Sequence, residues 1–190
     1  NYWGWPTEWQ IVENYTAIFR NTPIARYIVN SLMVAIPTVI GAVALSCLAG
    51  FALGTYRFKA NLAVFFLFVG SNFIPFQILM VPVRDLSLRL GLYDSVGGLV
   101  LFHIAFQTGF CTFFMRNFIR DLPHELIEAA RIEGASEWQI FWKVVLPLVR
   151  PALAALSVLV FTFIWNDYFW STVLIQGDHA MPVTGGLNSL

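Results

Sequence analysis

The chain has 190 residues, 58% of them hydrophobic and 12% charged, where soluble domains carry about 25% charge. So large an apolar excess cannot be hidden inside a soluble domain of this size, and the composition points to a bilayer as the solvent. The formal net charge is zero, so nothing favours nucleic acid as a partner or an electrostatic tether to a membrane surface.

Residues 1–26 are read as an external, aromatic-rich approach containing Trp3, Trp5, Trp9 and Tyr15, with Thr7 and Glu8 placed to start a short helix. Tryptophan and tyrosine favour the bilayer interface, which suits a segment lying along the membrane; a packed loop beneath an extramembrane partner is equally open. No charged residue stands between Arg26 and Arg57, and at about 1.5 Å per residue 27–55 is long enough for a tilted span. Pro37 is expected to kink it. Gly41, Ala42, Ser46, Ala49, Gly50 and Gly54 form a small-residue face suited to close helix packing, or alternatively to lining a pathway. A short basic turn, Arg57 and Lys59, follows.

Charge is absent again from Lys59 to Arg84, and 61–81 is the second expected span. Gly70, Pro75 and Pro82 interrupt it, and Ser71, Asn72 and Gln77 put polar groups in its second half. In hydrocarbon these need partners or water, so Asn72 and Gln77 are candidate pathway residues beside the plainer reading of interhelical hydrogen bonds. Residues 84–94 read as an outer loop, with Asp94 or Ser95 able to cap the next helix. The third span is 96–115, where His103 reads as a hydrogen-bonded interior residue; no second histidine or carboxylate stands at metal spacing beside it. Cys47 and Cys111 both fall in apolar runs and read as small packing residues.

Residues 121–147 hold most of the charge in the second half of the chain, between two apolar runs. Asp121 can cap a first short helix with Pro123 in its first turn, running to Ala130 or Arg131, and Gly134 can end it in the left-handed conformation. Ser136 and Gln139 make a capping box for a second helix in a new direction. Leu126, Ala129, Ala130 and Glu133 share a broad face, flanked by Glu125, Glu128 and Arg131, and the alanines let another surface approach closely. The fourth span is 148–174, with Arg150 at its start and Pro151 in its first turns. Near its far end Trp165-Asn166-Asp167-Tyr168-Phe169-Trp170 encloses a carboxylate in aromatics, so Asn166 and Asp167 are candidates for an outer gate, with helix anchoring as the alternative. Residues 175–190 are expected to form an external segment, of which Met181 to Leu190 trail off without a closing element.

Glu128-Ala129-Ala130, Gly134-Ala135 and Leu146-Pro147 at this spacing resemble the cytoplasmic EAA loop of the membrane subunits of bacterial ABC importers. Asn30-Ser31, Tyr56-Arg57-Phe58, Leu90-Gly91-Leu92-Tyr93-Asp94, Arg116-Asn117-Phe118 and Trp165-Asn166-Asp167 extend the likeness to nearly the whole chain, within the carbohydrate-uptake branch. Glu133 departs from the Asp more usual in the family but keeps the charge. The resemblance implies an all-α integral membrane protein, a four-helix fragment of a six-helix permease with one span missing at each end. It implies coupling to a cytoplasmic ATPase through Glu128, Ala129, Ala130, Arg131, Gly134, Ala135, Leu146 and Pro147.

With that loop inside, the inner side receives Arg57, Lys59, Arg116, Arg120, Arg131, Lys143 and Arg150, and the outer side Arg20, Arg26, Arg84 and Arg89, an excess of the expected sign. No phosphate-cradling loop, metalloprotease helix or nucleophile elbow is present, so the chain is read as a transport subunit and not an enzyme, with no cofactor. The resemblance supplies the partners: a pair of ABC ATPase subunits, a second permease subunit, an external solute-binding protein and a sugar or oligosaccharide, in a bacterial inner membrane. The alternatives are an importer of a non-sugar solute such as polyamine or phosphate, and an ATP-independent channel or carrier with the loop as an ordinary surface helix.

Overall fold

The computed structural model describes residues 10–187, and every regular element among them is helical. The expected roles of Trp3, Trp5, Thr7, Glu8 and Trp9 lie outside the described residues. Helix α1 (Ile11–Asn21) buries none of its side chains. It leads at Pro23 into α2 (Ile24–Thr55), which runs through Pro37 without a break. Helix α5 (Val96–Arg120) packs along α2, and α9 (Arg150–Trp165) packs against both.

The contact between α2 and α5 explains the small-residue face. A Cβ on Gly50 would lie 2.8 Å from Met115 Cβ and 2.9 Å from the Arg116 backbone nitrogen, so only glycine lets the two backbones approach this closely. Ala42 and Ser46 are fully buried on the same face, and Ser46 Oγ donates to the Thr108 carbonyl at 3.3 Å. Cys47 and Cys111 are buried free thiols.

Helices α2 and α5 are each long and apolar enough to cross a membrane; two further candidates are bent pairs. The span expected over 61–81 is broken. Helix α3 (Asn61–Gly70) continues as a 3-10 turn to Phe73, and a second 3-10 turn, Phe76–Leu79, leads into α4 (Met80–Arg89), with a bend of 91° between the halves. Pro75 is the cause: it offers no N–H and drives Ile74 to an extended conformation, φ −77° and ψ 121°. Pro82 causes no break, because it sits in the first turn of α4, where an N–H has no acceptor anyway. The outer loop expected over 84–94 is therefore helical as far as Arg89. Ser95 caps α5, accepting from the Gly98 N–H at 3.0 Å.

The span expected over 148–174 is divided as well. Helix α9 ends at Trp165, and α10 (Phe169–Leu174) begins after a turn at 166–168. Asp167 makes the break, its carboxylate accepting the N–H groups of Trp170 (3.2 Å) and Ser171 (2.9 Å), the free donors that open a new helix.

Residues 175–187 do not trail away. Asn30 Nδ2 donates to the carbonyls of His179 and Met181, both at 3.0 Å, Ser31 Oγ accepts from the Val183 N–H at 2.8 Å, and Tyr27 Oη donates to Asp178 at 3.2 Å. A last short helix, α11 (Val183–Gly186), closes the segment against α2. Asp94, with φ 56°, accepts from the N–H groups of Gln176 and Gly177, both at 2.8 Å. Burial opposes ionisation of its carboxyl, but these two N–H groups and nearby His179 outweigh it and hold Asp94 below the usual carboxylate range.

Candidate functional site: an exposed helix clamped to the end of α2

At the opposite end of the bundle lies the charged loop. Asp121 does not cap its first helix: it ends α5, and α6 (His124–Ile132) starts after Pro123, whose extended ψ of 119° turns the chain. Ile127 is the anchor of α6, 3% exposed in the core, a burial worth about 1.5–3 kcal/mol. The remainder of the helix faces outward. Glu128 and Ala129 are exposed, Ala130 is half-buried, and Ile132 is 87% exposed at the tip.

Gly134 ends α6 at φ +82°. The Gly134 N–H donates to the Arg131 carbonyl and the Ala135 N–H to the Ala130 carbonyl, both at 3.0 Å, the paired bonds of a Schellman ending. The chain then restarts at once. Ser136 Oγ accepts the Gln139 N–H at 3.3 Å while Gln139 Oε1 accepts the Ser136 N–H at 2.8 Å, opening α7 (Glu137–Ile140). Ile140, Phe141 and Val145 are buried, and a π-helical turn, Phe141–Val145, leads to α8 (Leu146–Leu148), where Leu146 and Pro147 are half-buried. The chain then bends by 74° into α9.

Three side chains tie this loop to α2. Arg131 Nε and Nη2 donate to the two oxygens of Glu137 at 2.8 and 3.2 Å, Tyr56 Oη donates to Glu137 Oε2 at 2.6 Å, and the guanidinium lies 5.8 Å from the Tyr56 ring centre. Tyr56 is the residue that follows α2. The Arg131 hydrogen bonds hold the Glu137 carboxyl below its usual range despite some burial, and the same pairing raises the Arg131 guanidinium. Burial, then the Glu137 hydrogen bond, push the Tyr56 phenol up to about 12, so it remains a donor throughout the physiological range. Arg131 is thus engaged within the chain, while Glu128 is left free for an outside contact. The sequence marked Tyr56 only through the family likeness and did not show its pairing with Glu137: the two are 81 positions apart, and Arg131 to Glu137 is six, which is no helical spacing.

The four candidate pathway residues are not joined. Asn72 turns back onto its own helix, donating to the Phe68 carbonyl at 3.0 Å, and Asn166 does the same to Thr162 at 2.8 Å. Gln77 is exposed. Asp167 alone is a node: besides capping α10 it lies 3.4 Å from the buried His103 Nε2, and its carbonyl accepts from Thr184 Oγ1 at 2.6 Å. This geometry supports anchoring. Asp167→Ala, which removes both accepted N–H bonds, is expected to lower the melting temperature of the purified subunit through loss of about 1 kcal/mol of capping, with uptake per assembled transporter unchanged. Loss of uptake from undestabilised, fully assembled protein would assign Asp167 to the pathway instead.

The bundle defines a class, the helical permease domain of an ABC transporter. It superposes with a TM-score of 0.82 and 25% identity on the crystal structure of a bacterial ABC transporter involved in the import of the acidic polysaccharide alginate, covering 92% of this chain and 61% of that one. The chain belongs to the family of binding-protein-dependent transport system inner membrane components, whose profile matches residues 17–189. It is 29% identical to the diacetylchitobiose uptake system permease protein of Streptomyces coelicolor, over 96% of this chain and 60% of that protein. It is 34% identical to the sn-glycerol-3-phosphate transport system permease protein of Yersinia pestis, over 97% of this chain and 66% of that protein. The chain therefore spans about three fifths to two thirds of the length of these relatives.

Proposed function

We propose that this chain is part of a permease subunit of an ATP-driven importer in a bacterial inner membrane, and that it forms part of the passage for a sugar or oligosaccharide. Helix α6 sits in a cleft of a cytoplasmic ATPase subunit. Closure of an ATPase pair on ATP draws α6 inward, and the helices follow as rigid bodies. A second permease subunit completes the passage and an external binding protein delivers the solute. The observation that carries the coupling role is an outward helix, bare at Glu128, Ala129 and Ile132, clamped through Arg131 in its last turn, by way of Glu137, to Tyr56 at the end of α2. A sugar cargo is supported by relatives that serve diacetylchitobiose and alginate. The relative that serves sn-glycerol-3-phosphate favours a second reading, a phosphorylated polyol.

Co-purification tests the coupling. Ile132→Glu and Glu128→Lys change only exposed side chains, so the full-length subunit is expected to insert normally and to lose its ATPase. An ATPase retained at the wild-type level by both variants would remove α6 from the contact. Cargo is read separately, by competition for the binding protein between oligosaccharides and glycerol phosphate.

A further inference from the structure

A zero net charge conceals an uneven distribution. Between the ends of α2, α3 and α5, on the same side as α6, lies a cavity of ≈ 580 Å³ whose lining includes Arg57, Lys59, Arg116, Arg120 and His124 and no carboxylate. None of these four permanent cations forms an ion pair with a carboxylate among the described residues. Basic residues on an inner membrane face are ordinary when they stand in water. Arg116 does not: it is 7% exposed, its Nε donates to the Leu53 carbonyl at 3.2 Å, and its guanidinium lies 3.8 Å from the Phe65 ring centre. A buried, oriented guanidinium without a counter-charge is costly unless an anion completes it, and its planar fork matches a phosphate.

The cavity is not wholly polar. Leu62 is on its lining, and along the same α3 helix Leu62, Phe66 and Leu67 are 58%, 59% and 76% exposed, an apolar strip leading away from the basic end. We infer that this cavity binds the phosphate head group of an anionic phospholipid of the inner leaflet, with an acyl chain lying along α3. The inference rests on the proposed orientation of the permease, because the cavity must face the inner leaflet. Charge complementarity selects an anionic lipid over a zwitterionic one, and the apolar strip selects a lipid over free phosphate.

The test uses the intact, full-length transporter, purified from mixed phosphatidylglycerol and phosphatidylcholine vesicles, with retained lipid read by native mass spectrometry. The expected result is selective retention of phosphatidylglycerol. Arg57→Gln and Lys59→Gln, on the rim, should each weaken it about fivefold, and Arg116→Lys should weaken it by removing the fork while keeping the charge. If Arg116→Lys fails to assemble, the rim variants still decide. Equal retention of the two lipids, or retention unaffected by the rim variants, overturns the inference. Displacement of the lipid by millimolar inorganic phosphate would make this a free-anion site, and loss of the ATPase from the rim variants with lipid retention intact would make it a protein contact; both overturn it. Retention does not depend on uptake, so failure of the transport reading and failure of the lipid site give different results.

Discussion

In reconstituted vesicles, Gly134→Val is expected to abolish binding-protein-stimulated uptake while leaving the subunit inserted. At φ +82° a side chain meets its own backbone, and a β-branched one meets it most severely, at about 1–3 kcal/mol. The space around the position is open, with no atom beyond the adjoining residues within 4 Å of where a Cβ would stand, so among the described residues the effect is purely conformational. A strain of about 2 kcal/mol lowers the equilibrium constant for the correctly ended helix, relative to its alternatives, roughly thirtyfold. A graded series separates this from a steric clash with a partner: Gly134→Asn, which tolerates the left-handed region, should retain more uptake than Gly134→Ala, although Asn is the larger. Equal loss in all three would point to the partner's surface, and wild-type uptake in all three would show that this ending plays no part in coupling.

Reversing either charge of the clamp is expected to leave ATP hydrolysis running and to uncouple it from uptake. Arg131→Glu and Glu137→Arg each set like charges together beneath Tyr56, whereas the double exchange restores an opposite pair and should recover much of the uptake. Both side chains are substantially exposed, at 39% and 46%, so the pair contributes at most about 1 kcal/mol to stability. The informative quantity is therefore the ratio of solute moved to ATP hydrolysed. The pH dependence has a definite sign. Because the Glu137 carboxyl is lowered on folding, its stabilisation is present above its unfolded value of about 4.3 and is lost as pH falls through the folded value. The Tyr56 phenol is raised, so its contribution is present below about 10 and is lost as pH climbs through about 12. Coupling through the clamp should thus be flat across the neutral range. Failure of the double exchange to recover any uptake would remove the clamp from the mechanism.

What the sequence disclosed and what it concealed divides by distance along the chain. The Gly134 ending and the Ser136–Gln139 box were legible because each is decided within six residues by backbone donors that must find acceptors. The bend at Pro75 was half legible: the proline was visible, but an unbroken apolar run read as one span. The turn at Asn166-Asp167 was masked in the same way, since apolarity alone cannot tell a carboxylate that ends a helix from one that lines a passage. Asp94 with Gln176, 82 positions apart, and Tyr56 with Glu137 were beyond any local signal. Asn30 and Ser31 carried only a family likeness until the fold showed them holding residues 179–183.

Under the coupling role proposed for α6, those same bonds would make α2 a lever with a defined fulcrum. Tyr27, Asn30 and Ser31 fasten its first turns to residues 178–183, and Tyr56, at the other tip, is the handle that the clamp grips. At 32 residues the arm is about 48 Å long, so a tilt of about 10° about the fastened end carries the tip about 8 Å. A small stroke delivered at α6 therefore needs no melting or rewinding of α2 to reach halfway across the membrane. It needs only that the outer knot hold, so loosening Asn30 should blunt the stroke from a distance, without touching the surface on which the force is applied.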